Sequence, residues 1–232
     1  MDGEEAVVRA HGFWLYAEGY AKTLGTPLTP QSRALDVGCG WGRITRLFSR
    51  DIASENIHGI DIDPHAIALC ETLGVPGNFT LTKPNEPLPF EDNSFDVITA
   101  YSVFTHLPED VATGLAAELS RVAAPGCVIV FTVEDKTFLD VFDMPNFREF
   151  GGRWEMLAKY ADEAPSLRKK YDDGEFLYLV TNNEGARTSA VYGDALISEK
   201  WMRKNWNDLF EIVAMDEAKP PVYQGVVVAR KT

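Results

Sequence analysis

A short apolar segment that runs directly into a glycine-rich loop constrains the fold of this chain more than any other feature. Residues 33–37 read Arg-Ala-Leu-Asp-Val and predict a buried strand. The loop that follows has glycines at Gly38, Gly40 and Gly42, and residues 43–49 then predict a helix. A strand, a glycine loop and a helix in this order are typical of α/β folds that bind nucleotides, because glycine lets the backbone turn sharply and approach a ligand closely.

Strand and helix patterns continue to alternate after the loop. Strands are predicted at residues 57–62, 79–82, 95–102 and 127–133, and the last two of these are apolar. Between them, one helix is predicted to begin with Asp63 as N-cap and Pro64 in its first turn, and another begins at Pro108. Such alternation predicts right-handed crossovers and a parallel sheet.

Two other regions depart from this alternation. Residues 4–24 predict an amphipathic, aromatic-rich helix, so residues 1–30 are interpreted as an N-terminal helix or lid. Residues 136–196 hold a mixed stretch with a predicted hairpin over residues 175–192, interpreted as an inserted substrate-recognition segment.

A last helix at 198–209 precedes strands at 210–215 and 222–230, whose short connection Lys219-Pro220-Pro221 predicts an antiparallel pair. The predicted core is therefore residues 31–135 with 197–232.

Two aspartates near the glycine loop strengthen its interpretation as a ligand-binding site. Asp61 ends the second predicted strand, 19 residues beyond Gly42, where a carboxylate can accept hydrogen bonds from both ribose hydroxyls. Its alternative role is an N-cap, which Asp63 before Pro64 fills better. Asp36 stands within the apolar strand, where a solvated turn residue is not expected. The loop and the two aspartates together favour a cofactor of the adenosine type.

Residues 36–42, Asp-Val-Gly-Cys-Gly-Trp-Gly, resemble the first motif of the class I S-adenosylmethionine-dependent methyltransferases. Gly59-Ile60-Asp61 is similar to the acidic end of their second strand. Further blocks follow in the family's order within about residues 31–135: Leu88-Pro89-Phe90, Ser94-Phe95-Asp96-Val97, Arg121-Val122 and Pro125-Gly126. The resemblance implies an α/β, Rossmann-like, mostly parallel sheet of seven strands whose last two form an antiparallel edge pair, with the substrate-capping insertion before them.

The resemblance also implies S-adenosylmethionine as the cofactor and a set of residues that contact it. This set comprises Asp36, Gly38, Cys39, Gly40, Gly42, Asp61, Ile62, Asn85, Glu86, Tyr101 and Ser102. One departure concerns adenine recognition, because many relatives have an Asp shortly before Leu-Pro-Phe. Here residues 83–87 read Lys-Pro-Asn-Glu-Pro, so Asn85 or Glu86 is expected to take that place.

His106 follows the fourth strand, at the sheet edge where ligands bind in open α/β folds, and is the candidate general base. The alternative is a histidine that only packs or caps before Pro108. Candidate acceptor-binding residues come from the aromatic-rich helix, the end of the fifth strand and the insertion: Tyr16, Tyr20, Glu134, Tyr178 and Tyr192. Core packing, or a solvated loop for Glu134, is the alternative role of each.

Composition limits the other classes of function. The net charge of −13 disfavours nucleic acid and anionic membranes as partners, and no apolar run is long enough to cross a bilayer. The three dispersed cysteines and four histidines predict neither disulfides nor a metal site, and the cysteine pattern suits a reducing cytoplasm. A monomer or homodimer that acts on a small molecule is expected. A nicotinamide-dependent dehydrogenase is disfavoured, because the dinucleotide-binding glycine motif of those enzymes has a small residue at the position of Arg43. A non-methylating protein that uses S-adenosylmethionine, such as a cyclase, is a second alternative.

Overall fold

The computed structural model of this chain describes residues 3–149, 151–181 and 193–232. Seven of its strands form one sheet. In chain order they are β1 (Ala34–Val37), β2 (Ile57–Asp61), β3 (Asn78–Leu81), β4 (Phe95–Ala100), β5 (Ala123–Val133), β8 (Glu211–Asp216) and β9 (Gly225–Arg230). Two short strands, β6 (Leu177–Leu179) and β7 (Asp194–Leu196), pair separately. The helices are α1 (Gly3–Thr23), α2 (Thr45–Phe48), α3 (Pro64–Thr72), α4 (Glu109–Val122), α5 (Arg153–Leu157), α6 (Ala164–Asp173) and α7 (Glu199–Asn205), with 3-10 turns between several of them.

The strand order across the large sheet is β3-β2-β1-β4-β5-β9-β8. The first five strands run parallel, and β9 lies antiparallel to both β5 and β8. This confirms the predicted Rossmann-like α/β fold and the antiparallel pair formed by the last two strands. Because the chain reverses its direction of travel between β1 and β4, the loops after these strands diverge and leave a crevice at their carboxyl ends.

Helices cover both faces of the sheet. On one face α1 and α2 bury a cluster that includes Phe13, Trp14 and Phe48, each at most 1% exposed. On the other face α4 and α7 bury a second cluster around Phe104, Phe131 and Trp206. The N-terminal helix, interpreted from the sequence as a lid, therefore packs on the sheet as part of its core.

Two predicted helices are shorter in the structure. The helix expected from residue 43 begins at Thr45, because Gly42 has φ +75° and interrupts helical geometry. The helix expected to reach residue 209 ends at Asn205. The next residue, Trp206, is fully buried against Phe104 and Phe131, and its backbone leaves the helical region to make those contacts.

The segment between β5 and α7 forms a small cluster of its own, built on leucines such as Leu139, Leu167 and Leu177. The expected hairpin is partly seen, because β6 pairs antiparallel with β7. Its second strand begins at Asp194, beyond the predicted end at Tyr192, and residues 182–192 lie outside the described part of the chain. Within the described ranges, no helix is both long and apolar enough to cross a membrane.

Candidate active site

The glycine loop after β1 forms one side of a cleft at the carboxyl edge of the sheet. Gly40 has φ +54°, and a Cβ built on it would meet no atom within 4 Å, so its backbone faces open space. At Gly42 the reason for glycine is different. A Cβ there would lie 2.8 Å from Val75, so the loop must pack directly against the segment after α3. The loop therefore presents bare backbone to whatever occupies the cleft.

Asp61 joins the end of β2 to this loop. Its Oδ2 accepts a hydrogen bond from the Gly40 amide at 2.9 Å, and its Oδ1 accepts one from the Asp63 amide at 2.9 Å. The carboxylate also lines the cleft. Since each carboxylate oxygen can accept more than one hydrogen bond, Asp61 can hold the loop and still accept from ligand hydroxyls. Asp63 accepts from the His65 amide, which confirms its predicted role as N-cap of α3.

Asp36 lies beneath the loop and is 1% exposed. Its carboxylate accepts hydrogen bonds from Thr45 Oγ1 at 2.5 Å and Thr99 Oγ1 at 2.9 Å. Burial raises the pKa of Asp36 to about 6, although both threonine hydroxyls and Arg43 act in the opposite direction. Asp36 does not line the cleft, so the structure places it as a support of the loop and not at a ligand-facing position.

Cys39 also points away from the cleft. Its side chain is 3% exposed and packs with Ile67, Cys70 and Val75, and burial raises the pKa of its thiol well above the usual range. The Cys39 amide donates to the Ile60 carbonyl at 3.0 Å. Asp36 and Cys39 were both predicted to contact the cofactor, and the structure instead places them on the side of the loop that faces away from the cleft.

The cleft encloses about 550 Å³. Its described lining comes from the glycine loop, the end of β2, the segment after β3, the segment after β4, and α4: Val37, Gly38, Gly40, Arg43, Ile60, Asp61, Ile62, Thr82, Lys83, Pro84, Asn85, Glu86, Pro87, Leu88, Tyr101, Ser102, Val103, His106, Leu107, Val111, Gly114, Leu115 and Glu118. Ile62 leaves 37% of its surface exposed beside Asp61, as an apolar face beside the carboxylate. Asn85 and Glu86 also line the cleft, in the segment after β3, where Glu86 pairs with Lys83 at 3.2 Å.

An arginine on α4 holds the second half of the segment between β3 and β4. Arg121 donates to the carbonyls of Leu88 at 3.1 Å and Phe90 at 2.8 Å, and it pairs with Glu118 at 2.7 Å. Glu118 in turn accepts from the Leu88 amide at 2.7 Å, and Arg121 lowers the pKa of its carboxyl group. This network positions the wall that carries Asn85 and Glu86, and the sequence blocks at 88–90 and 121–122 are its two halves.

Tyr101 and Ser102 form the part of the cleft that follows β4. The Tyr101 hydroxyl donates to the Val222 carbonyl at 3.0 Å, and the Arg43 guanidinium lies 4.5 Å from the Tyr101 ring centroid. Ser102 has φ +58°, an uncommon conformation for serine, and its amide donates to Thr132 Oγ1 at 2.7 Å. This conformation holds the Ser102 hydroxyl 3.5 Å from His106 Nε2 and 3.1 Å from the Gln224 side-chain nitrogen.

His106 ends the 3-10 turn Phe104–His106 and lines the cleft. Its Nδ1 lies 2.8 Å from the Gly193 carbonyl oxygen, and the Gly193 amide donates to the His106 carbonyl at 2.8 Å. Because a carbonyl oxygen only accepts, the neutral ring carries its proton on Nδ1 and its lone pair on Nε2. The nitrogen that can take up a proton is therefore the one beside Ser102.

The predicted acceptor residues fall in different places. Tyr178 touches Gly193, where an added Cβ would lie 2.6 Å from the tyrosine oxygen, so Tyr178 is a neighbour of the His106 site. Glu134 is 8% exposed and accepts from Gln224 at 3.3 Å, behind Ser102. Tyr16 donates to Asp216 at 2.7 Å and stacks on Tyr20; neither tyrosine lines the cleft. Tyr192 lies outside the described residues.

Sequence reasoning gave no role in the site to Arg43, Asp194 or Gln224. Arg43 could have been found from its place directly after the glycine loop. Gln224 and Asp194 come from segments more than 80 residues away from Ser102 and His106 in the chain, and only the fold brings them together. No group of three or more His, Cys, Asp or Glu residues arranged to hold a metal ion occurs in the described part of the chain.

Comparisons with known proteins identify the core. Residues 35–131 match the family described as a methyltransferase domain. The chain is 30% identical over 163 residues to sterol 24-C-methyltransferase of Schizosaccharomyces pombe, a match that covers 67% of this chain and 41% of that protein. It is 35% identical over 119 residues to ubiquinone biosynthesis O-methyltransferase of Hahella chejuensis, over 47% of this chain and 48% of that protein. The chain thus spans less than half the length of these two relatives.

A solved structure supports the same fold. The 1,6-didemethyltoxoflavin-N1-methyltransferase of Burkholderia thailandensis superposes with a TM-score of 0.61 at 15% identity, over 97% of this chain and 78% of that one. That structure contains bound 1,6-didemethyltoxoflavin and S-adenosylhomocysteine. At this identity the likeness concerns the fold alone. Residues 35–131 of this chain, which include the glycine loop and the carboxylate that ends β2, therefore match a methyltransferase domain.

Proposed function

We propose that this protein transfers a methyl group from S-adenosylmethionine to an oxygen or nitrogen atom of a small molecule, such as a metabolite or natural product. The observation that carries the proposal is a single cleft in which the bare backbone of Gly40, the carboxylate of Asp61 and the ring of His106 meet. The names of the two curated relatives refer to a sterol and to ubiquinone biosynthesis, which supports a small acceptor.

The residues of the cleft fit the chemical parts of the cofactor. When bound, S-adenosylmethionine supplies a methyl group on a positively charged sulfur. Asp61 accepts hydrogen bonds from the ribose hydroxyls, Ile62 packs against the adenine ring, and Asn85 or Glu86 accepts from its amino group. Gly40 admits the ligand to the loop, and Arg43 pairs with the methionine carboxylate. Tyr101 and Ser102 form the wall that leads to His106.

His106 acts as general base in this proposal. Its Nε2 accepts the proton from the nucleophilic atom of the acceptor, and the imidazolium then releases that proton to solvent. The ring lies inside the cleft and its orientation is fixed by the Gly193 carbonyl. Tyr178 and Glu134 stand next to this position, so we assign acceptor binding to them and to the segment of residues 136–196. We do not extend this role to Tyr16, which donates to Asp216, or to Tyr20, which stacks on Tyr16.

The remaining proposals concern location, assembly and partners. We propose that the protein acts in the cytoplasm, as a monomer or homodimer, without a metal ion and without a nucleic acid partner. A net charge of −13 opposes the close approach of phosphate backbones, which supports the last of these.

Incubation with methyl-labelled S-adenosylmethionine and a small-molecule extract tests the proposal. We expect label in compounds below about 1 kDa and an equal amount of S-adenosylhomocysteine, and His106→Gln should lower the rate by roughly 10²–10⁴ with cofactor affinity retained. Release of S-adenosylhomocysteine separates methyl transfer from a cyclase that uses the cofactor unchanged. Label found only in protein or nucleic acid, or cofactor binding without any labelled product, would contradict the proposal.

A further inference from the structure

A buried carboxylate lies directly behind the ring of His106. Asp194, on β7, is 1% exposed, and its Oδ1 lies 4.0 Å from His106 Nδ1. Its other oxygen, Oδ2, accepts a hydrogen bond from the Thr181 hydroxyl. The residue lies outside the stretch that matches the methyltransferase family, so the general features of that domain do not account for it.

We propose that Asp194 is a positioning residue that makes His106 a stronger base, and that β7 is therefore part of the catalytic apparatus. This inference rests on the proposed function, since a stronger base is useful only where an acceptor must lose a proton. Hydroxyl acceptors are of this kind, whereas thiolates and neutral amines attack without a base.

The backbone beside Asp194 fixes the ring as well. The Gly193 carbonyl accepts from Nδ1 and the Gly193 amide donates to the His106 carbonyl, so His106 is held on two sides by one residue of the insertion. A side chain at position 193 would lie 2.7 Å from the Leu179 carbonyl oxygen and 2.6 Å from Tyr178. Glycine at this position is what allows the carbonyl to reach the histidine.

Among the described residues, the titratable side chains near His106 are mainly acidic. They include Asp194 on β7, Tyr178 on β6, Glu134 after β5 and Asp110 in the first turn of α4, while Arg43 lines the same cleft from the loop. A carboxylate within about 4–6 Å of an ionisable group favours its positive form. Asp194 therefore stabilises the imidazolium that forms when Nε2 takes the acceptor's proton.

Nuclear magnetic resonance of the four histidine rings tests the pairing without any acceptor. In the unaltered protein, nitrogen shifts of neutral His106 should show the Nδ1–H tautomer. In Asp194→Asn the titration midpoint of His106 should fall by roughly 1 pH unit, while the midpoint of His58 in the same variant changes little. In the control variant Asp172→Asn, which alters an exposed carboxylate, the midpoint of His106 should also change little. An Nε2–H tautomer, or an unchanged midpoint in folded Asp194→Asn, would overturn the proposal.

A reciprocal measurement covers the case in which Asp194→Asn does not fold. Coupling between two sites is mutual, so in His106→Gln the Asp194 carboxyl should titrate roughly 1 pH unit higher than in the unaltered protein. An equal midpoint in the two proteins refutes the role of Asp194. Calorimetry with S-adenosylhomocysteine separates the two proposals: its failure to bind the unaltered protein would reject the proposed function, and the histidine titration would still decide the pairing.

Discussion

At the scale of single residues, Asp36 shows what a motif conveys and what it omits. The sequence places an aspartate at the end of an apolar strand before a glycine loop, and the resemblance implies that it lies close to the cofactor. The structure puts its carboxylate under the loop, where Thr45 and Thr99 each donate a hydroxyl to it. Those threonines are 9 and 63 residues away in the chain, and no local pattern predicts that they converge.

The raised pKa of Asp36 makes the stability of this protein depend on pH. Because its folded pKa of about 6 exceeds the ordinary value of 3.8, the native state binds this proton more tightly than the unfolded chain does. The resulting stabilisation is full below the ordinary value and is lost as pH rises through about 6. Asp36→Asn should therefore gain free energy of unfolding relative to the unaltered protein between pH 4 and pH 7, by up to roughly 3 kcal/mol.

Urea unfolding of both proteins at the two pH values measures this difference. The exposed Asp96, on the neighbouring strand, provides the matched control, since Asp96→Asn should show no such gain. A stability difference between Asp36→Asn and the unaltered protein that is the same at pH 4 and pH 7 would show that the buried carboxylate is not the cause.

At the scale of helices and strands, the large sheet could be predicted and the element ends could not. Apolar runs of four to eight residues indicate burial, so most strands of this sheet lie close to their predicted positions. The exceptions are β3, which is only partly buried, and β5, which begins at Ala123, before the predicted start at residue 127. Helix ends depend on distant partners. Trp206 ends α7 because it packs against Phe104 and Phe131, and nothing within residues 198–209 contains that information.

The same limit applies to the walls of the cleft. The sequence shows residues 88–90 and 121–122 as two separate blocks, and only the structure shows that Arg121 joins them. The guanidinium donates hydrogen bonds to two backbone carbonyls and pairs with the Glu118 carboxylate. These contacts fix a segment without regular structure in place as a wall of the cleft. Likewise, the sequence gives His106 as a candidate base, whereas the tautomer depends on Gly193, 87 residues further along the chain.

At the scale of the whole molecule, the parallel sheet and the insertion bury separate sets of residues. The leucine cluster around Leu139 and Leu167 is distinct from the two clusters that cover the sheet. The insertion also leaves and returns at nearly the same point, because Glu134 and Leu196 form a parallel bridge and the Ile197 amide donates to the Glu134 carbonyl at 3.2 Å.

This arrangement allows a direct test of the proposed division of the chain. Excision of residues 137–195, with a short Gly-Ser linker, should leave a folded protein that binds S-adenosylhomocysteine with an affinity within a few-fold of the full chain, because the glycine loop, Asp61 and the 82–88 wall remain. Methyl transfer should be lost, since Tyr178, Gly193 and Asp194 are removed. A truncated protein that folds and still methylates the acceptor would show that the insertion does not form the acceptor site.

The central claim is that the cleft at the carboxyl edge of β1, β2 and β4 binds S-adenosylmethionine through Asp61. Calorimetric titration of S-adenosylhomocysteine into the unaltered protein, Asp61→Ala and Asp63→Ala tests it most directly. Asp61→Ala should bind roughly 10- to 100-fold more weakly, because ribose hydroxyls lose a charged acceptor worth about 1.5–3 kcal/mol. Asp63→Ala, two residues away, removes only the N-cap of α3 and should cost about 1 kcal/mol of stability with affinity retained. Equal affinity in Asp61→Ala and the unaltered protein, or no binding by the unaltered protein, would contradict this account of the site.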